Sequence, residues 1–167
     1  ELPGSYAEVQ DILSIHTGQE VSGKIATKHY FQQHASEFDI IHLAIHGKAD
    51  TVNLLNTHLL FKHTDSEELE ERSLYAYELY NMKLNARMVA LSACETGTGQ
   101  YRRGEGSYSM ARAFAIAGVP TIVTSLSEVQ DRMTAEIMAD FYQNLLAGKP
   151  IDNSLRQAKL KFINNRI

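Results

Sequence analysis

Two residues whose chemistry depends on a partner stand at the ends of two apolar runs. Cys94, the sole cysteine in 167 residues, closes the run Met88-Val-Ala-Leu-Ser-Ala-Cys94. His46 closes Ile40-Ile-His-Leu-Ala-Ile-His46 and is followed at once by Gly47. A thiol becomes a strong nucleophile when a neighbouring base takes its proton, and an imidazole within hydrogen-bonding reach is such a base. His46 precedes Cys94 by 48 residues. That spacing is weak on its own, because one cysteine and seven histidines allow several chance pairings.

Position strengthens the pairing. A run as apolar as Met88 to Leu91 reads as a strand covered on both faces, the pattern of a parallel sheet flanked by helices. In such sheets ligands and chemistry gather beyond the carboxyl ends of the strands, which is where Cys94 and His46 fall. The bland reading of Cys94 is a buried thiol behaving as a small hydrophobe. Against it stand Arg102, Arg103 and the amino end of a helix opening at Gly106 or Ser107, all of which favour a thiolate. His42 sits inside its apolar run and reads as a core histidine. His46, beside a glycine that lets a substrate backbone approach, reads as the residue that faces a cleft.

Other chemistries fit less well. His42 and His46 lie four apart and would share a strand face, but no cysteine or carboxylate joins them at a familiar zinc spacing. Gly104-Glu-Gly106 lacks both the lysine-threonine ending of a phosphate loop and the third glycine of a dinucleotide fingerprint. Ser92, Ser107 and Ser109 form no nucleophile elbow.

The remaining elements must position the two strand ends. Val9, Ile12 and Leu13 set a helix from Tyr6 to Ile15, with a short extended piece near Val21. Thr27 is an N-cap for a helix ending near Ser36. One strand is expected over 40–47, then a polar loop to His58 and a short strand at Leu59 to Phe61, part of an edge hairpin. Asp65, Glu67, Glu68, Glu70 and Glu71 read as a solvated loop. Ser73 to Tyr80 reads as a small helix with Leu74, Tyr77 and Leu79 inward. After the Cys94 strand, a helix to Ala117 closes at Gly118, and a third buried strand covers Val119 to Ser125. Asp131 to Ala147 is the longest helix, with Ile137, Met138, Phe141, Leu145 and Leu146 inward. A last helix near Pro150 packs Leu155, Ala158, Phe162 and Ile163. Strands alternating with helices give an α/β fold with a mainly parallel sheet.

Composition agrees with one globular domain over residues 1–167. Hydrophobic residues make up 44% and charged residues 22%, and the net charge of −4 leaves no nucleic-acid or membrane footprint. A single cysteine suits a reducing, cytoplasmic setting. The chain opens Glu1-Leu-Pro-Gly without a methionine, as expected for part of a longer chain.

These segments resemble the CHAT domain, a caspase- and separase-like cysteine peptidase module commonly joined to TPR repeats. The resemblance is carried by Leu2-Pro-Gly-Ser-Tyr-Ala-Glu-Val9, His42-Leu-Ala-Ile-His46-Gly47, Leu91-Ser-Ala-Cys-Glu-Thr-Gly97 and Arg103-Gly-Glu-Gly106. It continues through Ala111-Arg-Ala-Phe114, Thr124-Ser-Leu126 and Leu155-Arg-Gln-Ala158, nearly to the end of the chain. It implies a caspase-like three-layer α/β/α sandwich and an endopeptidase with a His46–Cys94 dyad. The oxyanion would rest on the backbone amides of Gly47 and Cys94, with no metal or organic cofactor. The implied partners are a protein or peptide substrate and a TPR region or regulatory protein. The upstream strands and the C-terminal strand of the family lie outside the chain.

Glu95, Ser125 and Asp131 are candidates for the substrate groove. Asp131 either faces a basic P1 side chain or caps the long helix, and the cap is the favoured reading. Ser127 stands where relatives carry tryptophan, and Val129-Gln130-Asp131 replaces their paired acidic residues, so the P1 preference is open. Two further readings compete with the peptidase: a catalytically silent CHAT scaffold that binds protein partners, and a thiol acyltransferase on the same fold.

Overall fold

Met88, Val89, Ala90 and Leu91 offer no polar side chain on either face, so the strand they form is stable only with both faces covered. That strand is β5 (Met88–Leu91), and none of its residues is more than 2% exposed. It is the middle of a three-stranded parallel sheet, between β1 (Ile40–Leu43) and β6 (Ile122–Thr124). A computed structural model describes residues 5–50, 52–62, 69–92, 105–125 and 131–166, apart from the side chains of residues 5, 69, 105–109, 131 and 132. Cys94 and Glu95 therefore lie outside the described residues.

The chain divides into two compact units. The one spanning Val21–Glu128 holds both sheets. Its helices are α2 (Lys28–His34), α3 (Leu69–Arg72), α4 (Ala76–Leu79) and α5 (Glu105–Ile116). Thr27 caps α2 as its sequence suggests: the hydroxyl accepts from the Tyr30 amide at 3.1 Å. The helix then buries Phe31 against Phe61 and Phe114, at ring-centroid distances of 5.4 and 6.5 Å. Ile41 and Leu43 of β1, Val89 and Leu91 of β5 and Met110, Ala113 and Phe114 of α5 complete this core. Each buried aliphatic or aromatic side chain contributes roughly 1.5–3 kcal/mol. Helices packed about a parallel sheet make this an α/β fold.

The run from Ile40 to Gly47 is not one strand. It breaks at Ala44 and Ile45, and His46 begins β2 (His46–Lys48) in a second, antiparallel sheet with β3 (His58–Leu60) and β4 (Ser73–Tyr75). His42 and His46 therefore belong to different sheets. β3 forms a hairpin with β2, as expected, but is the central strand of that second sheet rather than its edge. Ser73 to Tyr75 pair with it as a strand where a helix was expected, because ladder bonds and burial of Leu74 outweigh local propensity. The helix starts only at Ala76, where the Glu78 carboxylate accepts from the Tyr75 amide at 2.9 Å. Tyr77 consequently points outward, 44% exposed. Around Val21 the chain forms a short 3-10 turn (Gly23–Ile25) rather than a strand. Of the acidic run, Glu70 and Glu71 are exposed on α3, and residues 63–68 lie outside the described residues.

α5 ends by a left-handed glycine cap. Gly118 has φ +107°; its amide donates to Ala115 O at 3.1 Å and the Val119 amide to Phe114 O at 3.1 Å. This paired pattern satisfies the last carbonyls of the helix. It also takes Val119 out of the following strand, so β6 starts at Ile122 and, as the sheet's edge, is half-buried rather than fully buried.

The other unit joins Glu1–Glu20 to Val129–Ile167. In it α1 (Ser5–Ile15) packs on α6 (Asp131–Leu146), and α6 on α7 (Ile151–Asn164). Met138, Phe141 and Tyr142 of α6 are buried, whereas Leu146 is exposed; Ala158 of α7 is buried and Ile163 exposed. The stripe on α6 runs through Tyr142, which the expected set of Ile137, Met138, Phe141, Leu145 and Leu146 does not include. Burial pushes the Tyr142 phenol well above its ordinary ionisation range, and the negative charge of Glu8 adds to the shift. No described helix is long and apolar enough to cross a membrane.

Two consequences are measurable. An alanine Cβ at Gly118 would meet Leu84 O at 3.0 Å in a backbone conformation that L residues resist, so Gly118→Ala should lower unfolding free energy in urea by about 1–3 kcal/mol. The Tyr142 pKa is raised in the folded state, so its contribution is intact below the ordinary tyrosine pKa near 10.0 and is lost as pH rises above it. Wild-type stability should therefore fall between pH 10 and 12 more steeply than that of Tyr142→Phe, measured by denaturant titration at each pH.

Candidate active site

The site is set by where neighbouring parallel strands stop. β1 and β5 pair in register, Ile40 with Met88 through Leu43 with Leu91. The Ser92 amide donates to Leu43 O at 3.2 Å and carries the pairing one step beyond the ladder. Both strands therefore end at one level. Three residues after Leu43 comes His46; three residues after Leu91 the sequence has Cys94, outside the described residues.

His46 is half-buried at the start of β2, opposite Leu60, and Gly47 stands opposite Leu59. The bend at Ala44 and Ile45 carries the chain out of the parallel sheet and into the second one. The imidazole is thus held by a ladder other than the one that contains β5. Gly47, with no side chain, keeps the backbone beside the histidine open to approach.

His42 behaves as a structural residue. It is half-buried, and its Nε2 lies 3.3 Å from the Ser92 hydroxyl, across the β1–β5 boundary. Ser92 is itself only 8% exposed. The sequence reading passes over this serine because it sits in no elbow motif; its hydroxyl lies within hydrogen-bonding distance of the half-buried His42 ring. A serine two residues ahead of Cys94 and in register beyond a histidine strand was the available signal.

Among the remaining candidates, Ser125 follows β6 directly, and its carbonyl accepts from the Thr124 hydroxyl at 3.3 Å. Asp131 is the first residue of α6, and its side chain, like Glu95, lies outside the described residues. Arg102 and Arg103 lie outside them too. Among the described residues, no group of three or more His, Cys, Asp or Glu side chains could hold a metal ion.

The family model of the CHAT domain matches residues 1–167. Among curated proteins, tetratricopeptide repeat protein 28 of Mus musculus is similar, 28% identical over 95 residues. The match takes in 57% of this chain and about 4% of the relative's length. No solved structure gives a significant match.

The division of labour between the two histidines of the run is testable on stability alone. His42→Ala should lower unfolding free energy by about 1–3 kcal/mol, since it removes the partner of a buried hydroxyl as well as packing. His46→Ala should cost less, as read by urea unfolding of the two variants side by side.

Proposed function

The chain belongs to the CHAT domain family, a caspase-like group, and from this we propose that it is a cysteine endopeptidase built on His46 and Cys94. The observation that carries the reading is the register of β1 with β5. Leu43 and Leu91 are paired at the strand ends, and each is followed after three residues by one member of the Cys-His pair.

In this mechanism His46 accepts the thiol proton and Cys94 Sγ attacks the scissile carbonyl carbon. The carbonyl becomes an oxyanion held by the backbone amides of Gly47 and Cys94. The imidazolium then gives its proton to the departing amine as the C–N bond breaks, leaving a thioester. Water, deprotonated by His46, attacks the thioester; the carboxylic product leaves and the thiol is regenerated. No metal or organic cofactor enters. The substrate is a protein or peptide, and Glu95, Ser125 and Asp131 are the candidate residues for its recognition. A TPR region or a regulatory protein controls access, a reading supported by the tetratricopeptide name of the curated relative. The setting is cytoplasmic, where a free thiol stays reduced.

A second reading keeps the fold and drops the chemistry, as a silent scaffold that binds protein partners. Retention of both His46 and Cys94 favours the enzyme, since a scaffold needs neither.

Cys94→Ala and His46→Ala should each abolish the new chain termini that the active protein generates in a proteome digest, while circular dichroism stays unchanged. His42→Ala, at a temperature where it remains folded, should retain cleavage. Equal cleavage by wild type and Cys94→Ala would end the thiol mechanism, and no new termini from the wild type would leave the scaffold reading.

A further inference from the structure

The second sheet carries a cavity that the dyad does not use. It measures about 880 Å³ and is lined by Lys28, Lys48, Asp50, His58, Glu70, Glu71 and the rings of Tyr75 and Tyr77. His58 is the odd residue in it. At the first position of β3 it faces Lys48 on one side and Tyr75 on the other, and is only 8% exposed. Its Nδ1 lies 2.8 Å from Asn56 O. A carbonyl can only accept, so Nδ1 carries the proton. In the neutral ring, Nε2 is then a bare acceptor. That atom is buried and has no hydrogen-bond partner among the described residues. A buried polar atom left in this state costs about 1–3 kcal/mol, a cost that a ligand N–H would relieve.

The charges around it have one sign in excess. Lys28 is spoken for: its ammonium pairs with Glu78 Oε1 at 2.7 Å and reaches Glu70 O at 3.4 Å. Lys48, also in the lining, is exposed. Asp50 is held below the usual carboxylate range by the Asn53 and Val52 amides that donate to it, so it stays ionised. Glu70 and Glu71 are exposed and no ion pair engages either carboxylate among the described residues. Desolvation, and then the charges of Glu78, Tyr75 and Glu70, raise the Tyr77 phenol above its ordinary value. Tyr75 and Tyr77 stack with centroids 5.2 Å apart and planes 13° from parallel, and Tyr77 is 44% exposed.

We infer that this cavity binds a guanidinium group, the planar cation of an arginine. Its N–H edges meet Glu70, Glu71 and the His58 acceptor while its face lies on the Tyr77 ring. An ammonium supplies the charge but neither the planar face nor the fork of donors. A phosphate or an acidic side chain meets carboxylates. The inference stands on the cavity alone and does not need the peptidase reading. The arginine can come from a polypeptide or be free in solution, and the two sources separate experimentally.

The test is isothermal titration of the Cys94→Ala chain, so that no probe is consumed. The probes are acetyl-Ala-Arg-Ala-amide, the same tripeptide with citrulline or lysine in place of arginine, and free arginine. Citrulline keeps the shape and removes the charge. The arginine peptide should bind at least about tenfold more tightly than the citrulline peptide and more tightly than the lysine peptide. Glu70→Gln combined with Glu71→Gln, both exposed positions, should weaken it about tenfold, and Tyr77→Leu should weaken it as well. His58→Phe tests the acceptor, and the glutamine pair serves if that variant fails to fold. A peptide preference over free arginine assigns the site to a polypeptide partner; equal affinity assigns it to free arginine. No binding, equal binding of arginine and citrulline peptides, or indifference to the Glu70 and Glu71 changes would overturn the inference.

Discussion

The pairing of β1 with β5 is the constraint on which the rest depends. β5 is apolar on both faces and buried at every residue, so it can exist only as an interior strand. Parallel ladders fix the relative height of neighbouring strands through slanted, evenly spaced hydrogen bonds. Once Ile40 is opposite Met88, the positions of Leu43 and Leu91 follow, and so does the level at which both strands release the chain. A slip of one residue would turn His42 and Ile41 onto each other's faces, exposing isoleucine and burying imidazole away from Ser92. The hydrophobic effect thus sets the register, and the register sets the level from which the chain runs on to His46.

A second arrangement gives His46 its own support. The bend at Ala44 and Ile45 sends the histidine into a ladder with β3, which β4 extends. That small sheet is anchored by fully buried Leu74 and nearly buried Leu59 in the same core as β1 and β5. Among the described residues it is consequently fastened to the parallel sheet through side chains rather than through backbone hydrogen bonds. The same ladder brings His58, Lys48 and Tyr75 together on adjoining strands.

Much of this was legible in the sequence, and what was not has physical reasons. The long helices, the Thr27 cap, the Gly118 stop and the β5 strand follow from periodicity, side-chain acceptors and a run without polar residues. These are local signals. The bend within the Ile40 to Gly47 run was hidden because every residue there suits a strand; it depends on where β3 lies. Ser73 to Tyr75 read as helix because their partner strand is non-local. Tyr142 escaped because tyrosine is amphipathic and its burial depends on packing around its ring. The His42–Ser92 contact joins residues 50 apart, and only the register makes them neighbours. Residues 93–104, with the thiol and both arginines, lie outside the described residues, so the half of the site they carry rests on sequence.

The whole antiparallel sheet lies between Leu43 and Met88, inside the connection that joins one parallel strand to the next. Such a connection must cross over the sheet and cannot be a tight turn. Closing a longer connection is inexpensive, since doubling a flexible loop costs only about 0.6 kcal/mol. The segment is therefore a place where evolution can lengthen, trim or rebuild a recognition surface. The strand ends on which the proposed chemistry rests would keep their spacing throughout.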